Sequence, residues 1–352
     1  MKKTLIAAAL LAGFASAAQA QSNVTLYGIV DMGYVNSKND GSSATSALDS
    51  GVLGSSRFGF RGSEDLGNGL KANFQLENGF KADDGSLGTD KTIFDRAAWV
   101  SLSGGFGELR LGRQDSLGFN WFRGAINPFG NAYLQAQSKT VFNGGAPLTA
   151  IEDRLSNSVF YYSPSFSGFQ AAVGYSFNPN AGETVGNDGD TPVVSLGARY
   201  QAGPLLAVVT YEQKNAADVA VAPANSDIKN LQVGATYDFG VARLHAGYGR
   251  LTNARFNSAS DDENTYLIGV SVPFGASTIL ASYQRNDNAN RNAGRNDKAI
   301  DGFGLAYNYS LSKRTTLYAM FDTFGDSILR AGSTTGATGD RRELAVGVQH
   351  KF

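Results

Sequence analysis

The chain closes with Glu343-Leu344-Ala345-Val346-Gly347-Val348-Gln349-His350-Lys351-Phe352, and the reading of this stretch decides the fold. Successive side chains of an extended strand point to opposite sides. Leu344, Val346, Val348, His350 and Phe352 therefore share one face, while Glu343, Gly347, Gln349 and Lys351 share the other. The same period of two recurs upstream. Leu70, Ala72, Phe74 and Leu76 interleave with Lys71, Asn73, Gln75 and Glu77, and Val194, Leu196, Ala198 and Tyr200 with Ser195, Gly197, Arg199 and Gln201. Leu231 to Tyr237 and Phe303 to Tyr309 repeat it. Sixteen such segments lie near 23–35, 55–63, 70–80, 93–102, 108–114, 156–163, 169–177, 193–201, 205–214, 229–238, 241–251, 265–273, 278–286, 299–309, 315–324 and 341–352. The pattern predicts an all-β, antiparallel chain.

The connections alternate in length. Those near 64–69, 103–107, 164–168, 202–204, 239–240, 275–277 and 310–314 are tight and rich in turn formers. Those at 36–54, 81–92, 115–155, 178–192, 215–228, 252–264, 287–298 and 325–340 are long and polar. Short turns alternating with long loops describe a transmembrane β-barrel of even strand number, with both termini on the turn side. Roughly twenty-one residues per strand and connection suits strands of about ten that cross a bilayer at a tilt. Period alone does not say which face looks outward. The glycine-rich second face and the tyrosines near strand ends (Tyr161, Tyr162, Tyr200, Tyr211, Tyr237, Tyr283, Tyr307 and Tyr309) favour apolar side chains turned to lipid, flanked by aromatic girdles.

Composition narrows the function. The 43 glycines against 8 prolines, with only 17% charged residues, do not describe a helix bundle. The 30 basic and 31 acidic residues nearly cancel, so no basic footprint for nucleic acid exists. With no cysteine, thiolate metal sites and cysteine nucleophiles are excluded. His245 and His350 are the two histidines, and neither has a serine and carboxylate context, so no enzymatic role and no cofactor or metal is expected.

Residues 1–20 read as an export signal: Lys2 and Lys3, an apolar run from Leu5 to Phe14, then Ala18-Gln19-Ala20 as a cleavage site. Residues 21–352 would form a single barrel domain outside the cytoplasm.

Several stretches resemble the general porins of Gram-negative outer membranes, in particular the porin family of β-proteobacteria and Neisseria. They are Val24-Thr25-Leu26-Tyr27-Gly28-Ile29-Val30-Asp31, Ser56 to Gly62 with Glu64 to Leu70, Val100 to Gly107, Leu111 to Gln114, Val159 to Pro164, Leu311 to Thr315, and Phe352. The resemblance spans essentially the mature chain. It implies a 16-stranded barrel in the outer membrane, a homotrimer with one pore per subunit, and a third loop folded inward to narrow the lumen. It also implies that the strand ending in Phe352 is read by the barrel-assembly machinery, and that membrane lipid and lipopolysaccharide surround the protein.

The longest connection, about 115–155, is the candidate constriction loop, and it holds Asp115, Arg123, Asn127, Phe129 and Lys139. Asn127-Pro128-Phe129-Gly130 resembles the turn at the tip of that loop, with its acidic position absent. On the wall, Arg57 alternates with Phe58 and Phe60 and so faces the lumen with Arg61. By resemblance, Arg57, Arg96 and Arg154 form an arginine ladder, and Glu77 is placed to hold these guanidinium groups. Lys71 and Arg110 add lumen-side positive charge, whereas Glu152 and Asp153 oppose it. The expected function is passive diffusion of small hydrophilic solutes and ions with a preference for anions. The alternative is a substrate-specific channel for small organic acids or phosphate, distinguished by solute-dependent current block. A barrel hydrolase and a soluble carbohydrate-binding β-protein are weaker readings.

Overall fold

The computed structural model describes residues 23–39, 42–89, 92–130, 151–179, 190–215, 227–256, 259–288, 300–324 and 341–352. The expected leader and Lys139 lie outside the described residues. In chain order the strands are β1 (Asn23–Asn39), β2 (Thr45–Ser50), β3 (Arg57–Gly67), β4 (Leu70–Gly79), β5 (Ala97–Gly104) and β6 (Gly107–Asp115). After a long connection come β7 (Arg154–Tyr162), β8 (Phe169–Ser176), β9 (Val193–Ala202), β10 (Leu205–Lys214), β11 (Ile228–Asp238) and β12 (Arg243–Phe256). The barrel finishes with β13 (Ala259–Phe274), β14 (Ser277–Asn288), β15 (Ile300–Ser310), β16 (Thr315–Phe324) and β17 (Arg341–Lys351).

All pairings between neighbours are antiparallel, and β1 pairs with β17 from Ile29↔Lys351 to Asn39↔Arg341, so the sheet closes without a free edge. On its other side β1 pairs with β2 through Met32 to Ser37 and with β3 through Asn23 to Ile29. β2 and β3 are thus two halves of one stave, and the barrel has sixteen staves. Sequence patterning assigns 36–54 to a loop and misses β2, because Thr45–Ser50 carries one large apolar residue, Leu48, and its strand state is dictated by β1. It also ends β12 too early and starts β13 too late, since both strands continue through the polar span 252–264 to within two residues of each other.

Burial is inverted relative to a soluble barrel. On β17, Val346 is 48% exposed while Glu343 is 3% exposed. On β10 and β11, Thr210, Glu212, Asn230 and Gln232 are buried within, and Val209, Leu231 and Val233 look outward. An outward apolar belt around a polar interior is the solution for strands whose surroundings are hydrocarbon. Tyr162 departs from the expected girdle: it points inward, stacked on Phe160 with ring centroids 6.0 Å apart, because β7 alternates with Tyr161 outside.

Candidate pore constriction

Between β6 and β7 the chain turns into the barrel. Gly118–Arg123 forms a π-helical segment and Gly124–Ile126 one further helical turn, neither with a side-chain cap. The barrel wall meets their polar groups instead. Glu212 of β10 accepts from the Gly118 N–H at 3.1 Å through Oε1 and from the Ile151 N–H at 3.1 Å through Oε2. One buried carboxylate therefore fastens both arms of the loop. His245 of β12 meets the Ile126 carbonyl oxygen through Nδ1 at 2.9 Å and Ser271 Oγ through Nε2 at 3.0 Å. A carbonyl only accepts, so Nδ1 carries the proton.

Apolar packing follows the same line. Leu117, Trp121, Phe122 and Ile126 cluster with Leu155, Phe160, Val193 and Val208, and farther on Phe129 joins Val52, Leu280, Ala306, Tyr318 and Met320. The bed is made of glycine. A Cβ at Gly234 would stand 2.8 Å from Ile126 Cγ2 and 2.9 Å from Phe122 Cε2, and one at Gly269 would stand 2.7 Å from Pro128 Cγ. The small residues that alternate with outward apolar ones are where the loop approaches the wall.

Opposite the loop lies a basic wall. Glu77, near the end of β4, accepts from Arg96 Nε at 2.6 Å, lies 3.7 Å from Arg57 Nε, and accepts from the Tyr27 hydroxyl at 2.8 Å. Arg57 also donates to the Ser55 carbonyl at 3.0 Å. Arg154 pairs with Asp115 at 3.3 Å, its guanidinium 5.2 Å over the Phe119 ring. Arg123 pairs with Asp153 at 3.2 Å and lies 4.9 Å over the same ring. Burial pulls the Arg123 guanidinium below its ordinary range, and Asp153 opposes that shift. Wall and loop enclose a cavity of about 780 Å³. Among the described residues, seven cationic side chains line it (Arg57, Arg96, Arg110, Arg123, Arg154, Arg243 and Lys351) against three acids (Glu77, Asp115 and Asp153).

A model of the Gram-negative porin family matches residues 7–328. The chain belongs to that family. This porin is 36% identical to an outer membrane porin protein of Bordetella pertussis over the whole of both chains. It is 37% identical to outer membrane porin protein 32 of Delftia acidovorans, over 90% of this chain and 88% of that one. The anion-selective porin from Comamonas acidovorans superposes with a TM-score of 0.78 at 29% identity, covering 94% of this chain and all of the other. The porin is an outer-membrane protein of a Gram-negative bacterium.

The porin's geometry amends several expectations from sequence. Glu77 holds two of the three ladder arginines, and Asp115 holds the third, Arg154, because Arg154 opens β7 directly across from Asp115. Asp115 is the last residue of β6 rather than part of the loop, which spans 116–153. Arg96 precedes its strand, expected over 93–102, since β5 begins at Ala97. Lys71 and Arg61 alternate onto the face of Glu77 and Arg57 but are exposed nearer the turns, with Arg61 5.1 Å over the Tyr27 ring. Arg110 lines the cavity, paired with Glu108 at 3.0 Å and lying 4.0 Å over the Trp99 ring. Asn127 serves the loop turn, its Oδ1 accepting from the Phe129 N–H at 3.0 Å. Glu152 is occupied by Lys214 at 2.5 Å. Phe352 exchanges both backbone hydrogen bonds with Gly28 at 3.1 Å, at the closing seam.

Sequence reasoning missed Asp31, Arg113 and Glu212. Arg113 donates to the Asp95 carbonyl at 2.6 Å and to Ser156 Oγ at 2.7 Å. For Glu212 a signal existed: an acid on the inward register of β10, after Val208 and Thr210 and before Lys214.

Proposed function

We propose that this porin is a water-filled channel for passive diffusion of small hydrophilic solutes and ions, and that it favours anions at a constriction formed by Arg57, Arg96 and Arg154 against the inward loop. The observation that carries the reading is the lining of the main cavity, where among the described residues seven cationic side chains meet three acids. Ion pairing reduces it without cancelling it: Arg110, Arg123, Arg154 and Arg243 each meet one acid, whereas Glu77 serves two guanidinium groups and leaves one net positive charge at that centre. A unit charge about 7 Å from a passing ion, at an effective dielectric near 40, changes its energy by about 1 kcal/mol. The relative described as anion-selective supports the sign. Export by residues 1–20, assembly as a homotrimer, and recognition of the terminal strand with Phe352 belong to the same proposal and rest on the family resemblance. Liposome swelling tests it: a small anionic solute is expected to enter faster than a cationic solute of matched size, and the reverse order refutes it.

A further inference from the structure

A second cavity, of about 390 Å³, lies on the turn side of the inward loop and differs in chemistry from the first. Its β9 wall presents Arg199 and Gln201, and its β10 wall presents Leu206 and Val208 at the cross-strand positions. Trp121 of the loop also lines it. Leu206 and Val208 continue the apolar bed on which the inward loop packs. Here they face a guanidinium.

Arg199 sets the chemistry of this cavity. Its Nε donates to Gln170 Oε1 at 2.9 Å, and its guanidinium lies 4.7 Å over the Trp121 ring. Among the described residues it has no carboxylate partner, unlike Arg57, Arg96, Arg110, Arg123 and Arg154. Its terminal nitrogens remain available for two parallel hydrogen bonds to a carboxylate. Asp115, the acid lining this cavity, is engaged by Arg154.

We infer that this cavity is a binding site for small carboxylates with a compact apolar body, reached after the constriction by a solute moving inward. The carboxylate takes the Arg199 terminal nitrogens, and the apolar body rests on Leu206, Val208 and the Trp121 indole. The site rests on the reading of the barrel as a water-filled channel, but not on the sign of selectivity at the constriction.

The test is current block of the full-length porin in planar bilayers, with benzoate as probe and acetate as the control lacking the apolar body. Benzoate is expected to reduce the open-channel current at concentrations at least about tenfold below acetate. Arg199→Ala is expected to raise the half-blocking benzoate concentration by about tenfold or more. Arg199→Gln, which keeps a polar side chain over Trp121, gives the same loss if the alanine variant fails to fold. Leu206→Asn is expected to abolish the benzoate advantage and leave acetate block unchanged. Equal block by both acids, unchanged block in Arg199→Gln, or equal loss of block in Arg57→Ala overturns the site. The zero-current potential in potassium chloride, measured on the same membranes, reports separately on the constriction.

Discussion

Tyr318 on β16 donates a hydrogen bond to Asp31 on β1 at 2.8 Å, passing over Gly347 of the intervening β17. The same carboxylate accepts from the N–H groups of Val52 and Gly54 at 3.0 Å and from Gln349 Nε2 at 2.9 Å. It therefore joins the closing seam to the inturned segment 51–56, whose Ser55 carbonyl receives Arg57. Asp31→Asn puts an amide N–H against donors. We expect a loss of about 2–4 kcal/mol of stability, read from the denaturant midpoint of the reconstituted porin, together with noisier open-channel current. A variant with the wild-type midpoint and current contradicts this role.

Glu212 holds both arms of the inward loop through Gly118 and Ile151. Glu212→Ala leaves two buried N–H groups unpaired, at a cost of about 2–4 kcal/mol. Single-channel recording is expected to show larger conductance with frequent fluctuations, since the two arms of the loop lose their shared polar tether. Unaltered conductance would mean that apolar packing and the His245 contact with Ile126 position the loop without Glu212.

Gly234 supports the opposite perturbation. A side chain there meets Ile126 and Phe122 at under 3 Å, so Gly234→Val must push the loop off the wall and into the bore. The expected cost is about 1–3 kcal/mol, with a lower single-channel conductance. Conductance that rises or stays constant would show that the loop yields in another direction.

Much of this architecture was legible beforehand because a stave leaves a period of two in sequence. Leu344, Val346 and Val348 announce β17 without help from any partner. β2 was not legible, since its strand state comes from pairing with β1 rather than from its own side chains. Arg57 could be read from its alternation with Phe58 and Phe60, and Arg96 and Arg154 only by resemblance. Their acidic partners divide between Glu77 and Asp115 because β6 and β7 meet at a bulge between Gly112 and Gln114, a register feature that no period reveals. Asp31 was missed because its donors come from β1's neighbours on both sides of the seam, far apart in sequence.

Arg57 and Glu77 act on the pore field with opposite signs. Arg57→Ala is expected to lower the anion preference while the barrel still inserts. Glu77→Gln removes the acid shared by two guanidinium groups and is expected to raise it, by up to about 1 kcal/mol per charge. Reversal potentials of the two variants that move in the same direction would contradict the charge assignment.

The most direct measurement is the zero-current potential of the wild-type porin across a planar bilayer under a potassium chloride gradient. A basic constriction predicts chloride permeability exceeding potassium permeability, by up to roughly thirtyfold if a field of about 1 kcal/mol favours the one ion and disfavours the other, weakening as salt rises. A potential of the opposite sign, with potassium the more permeant ion, would contradict it.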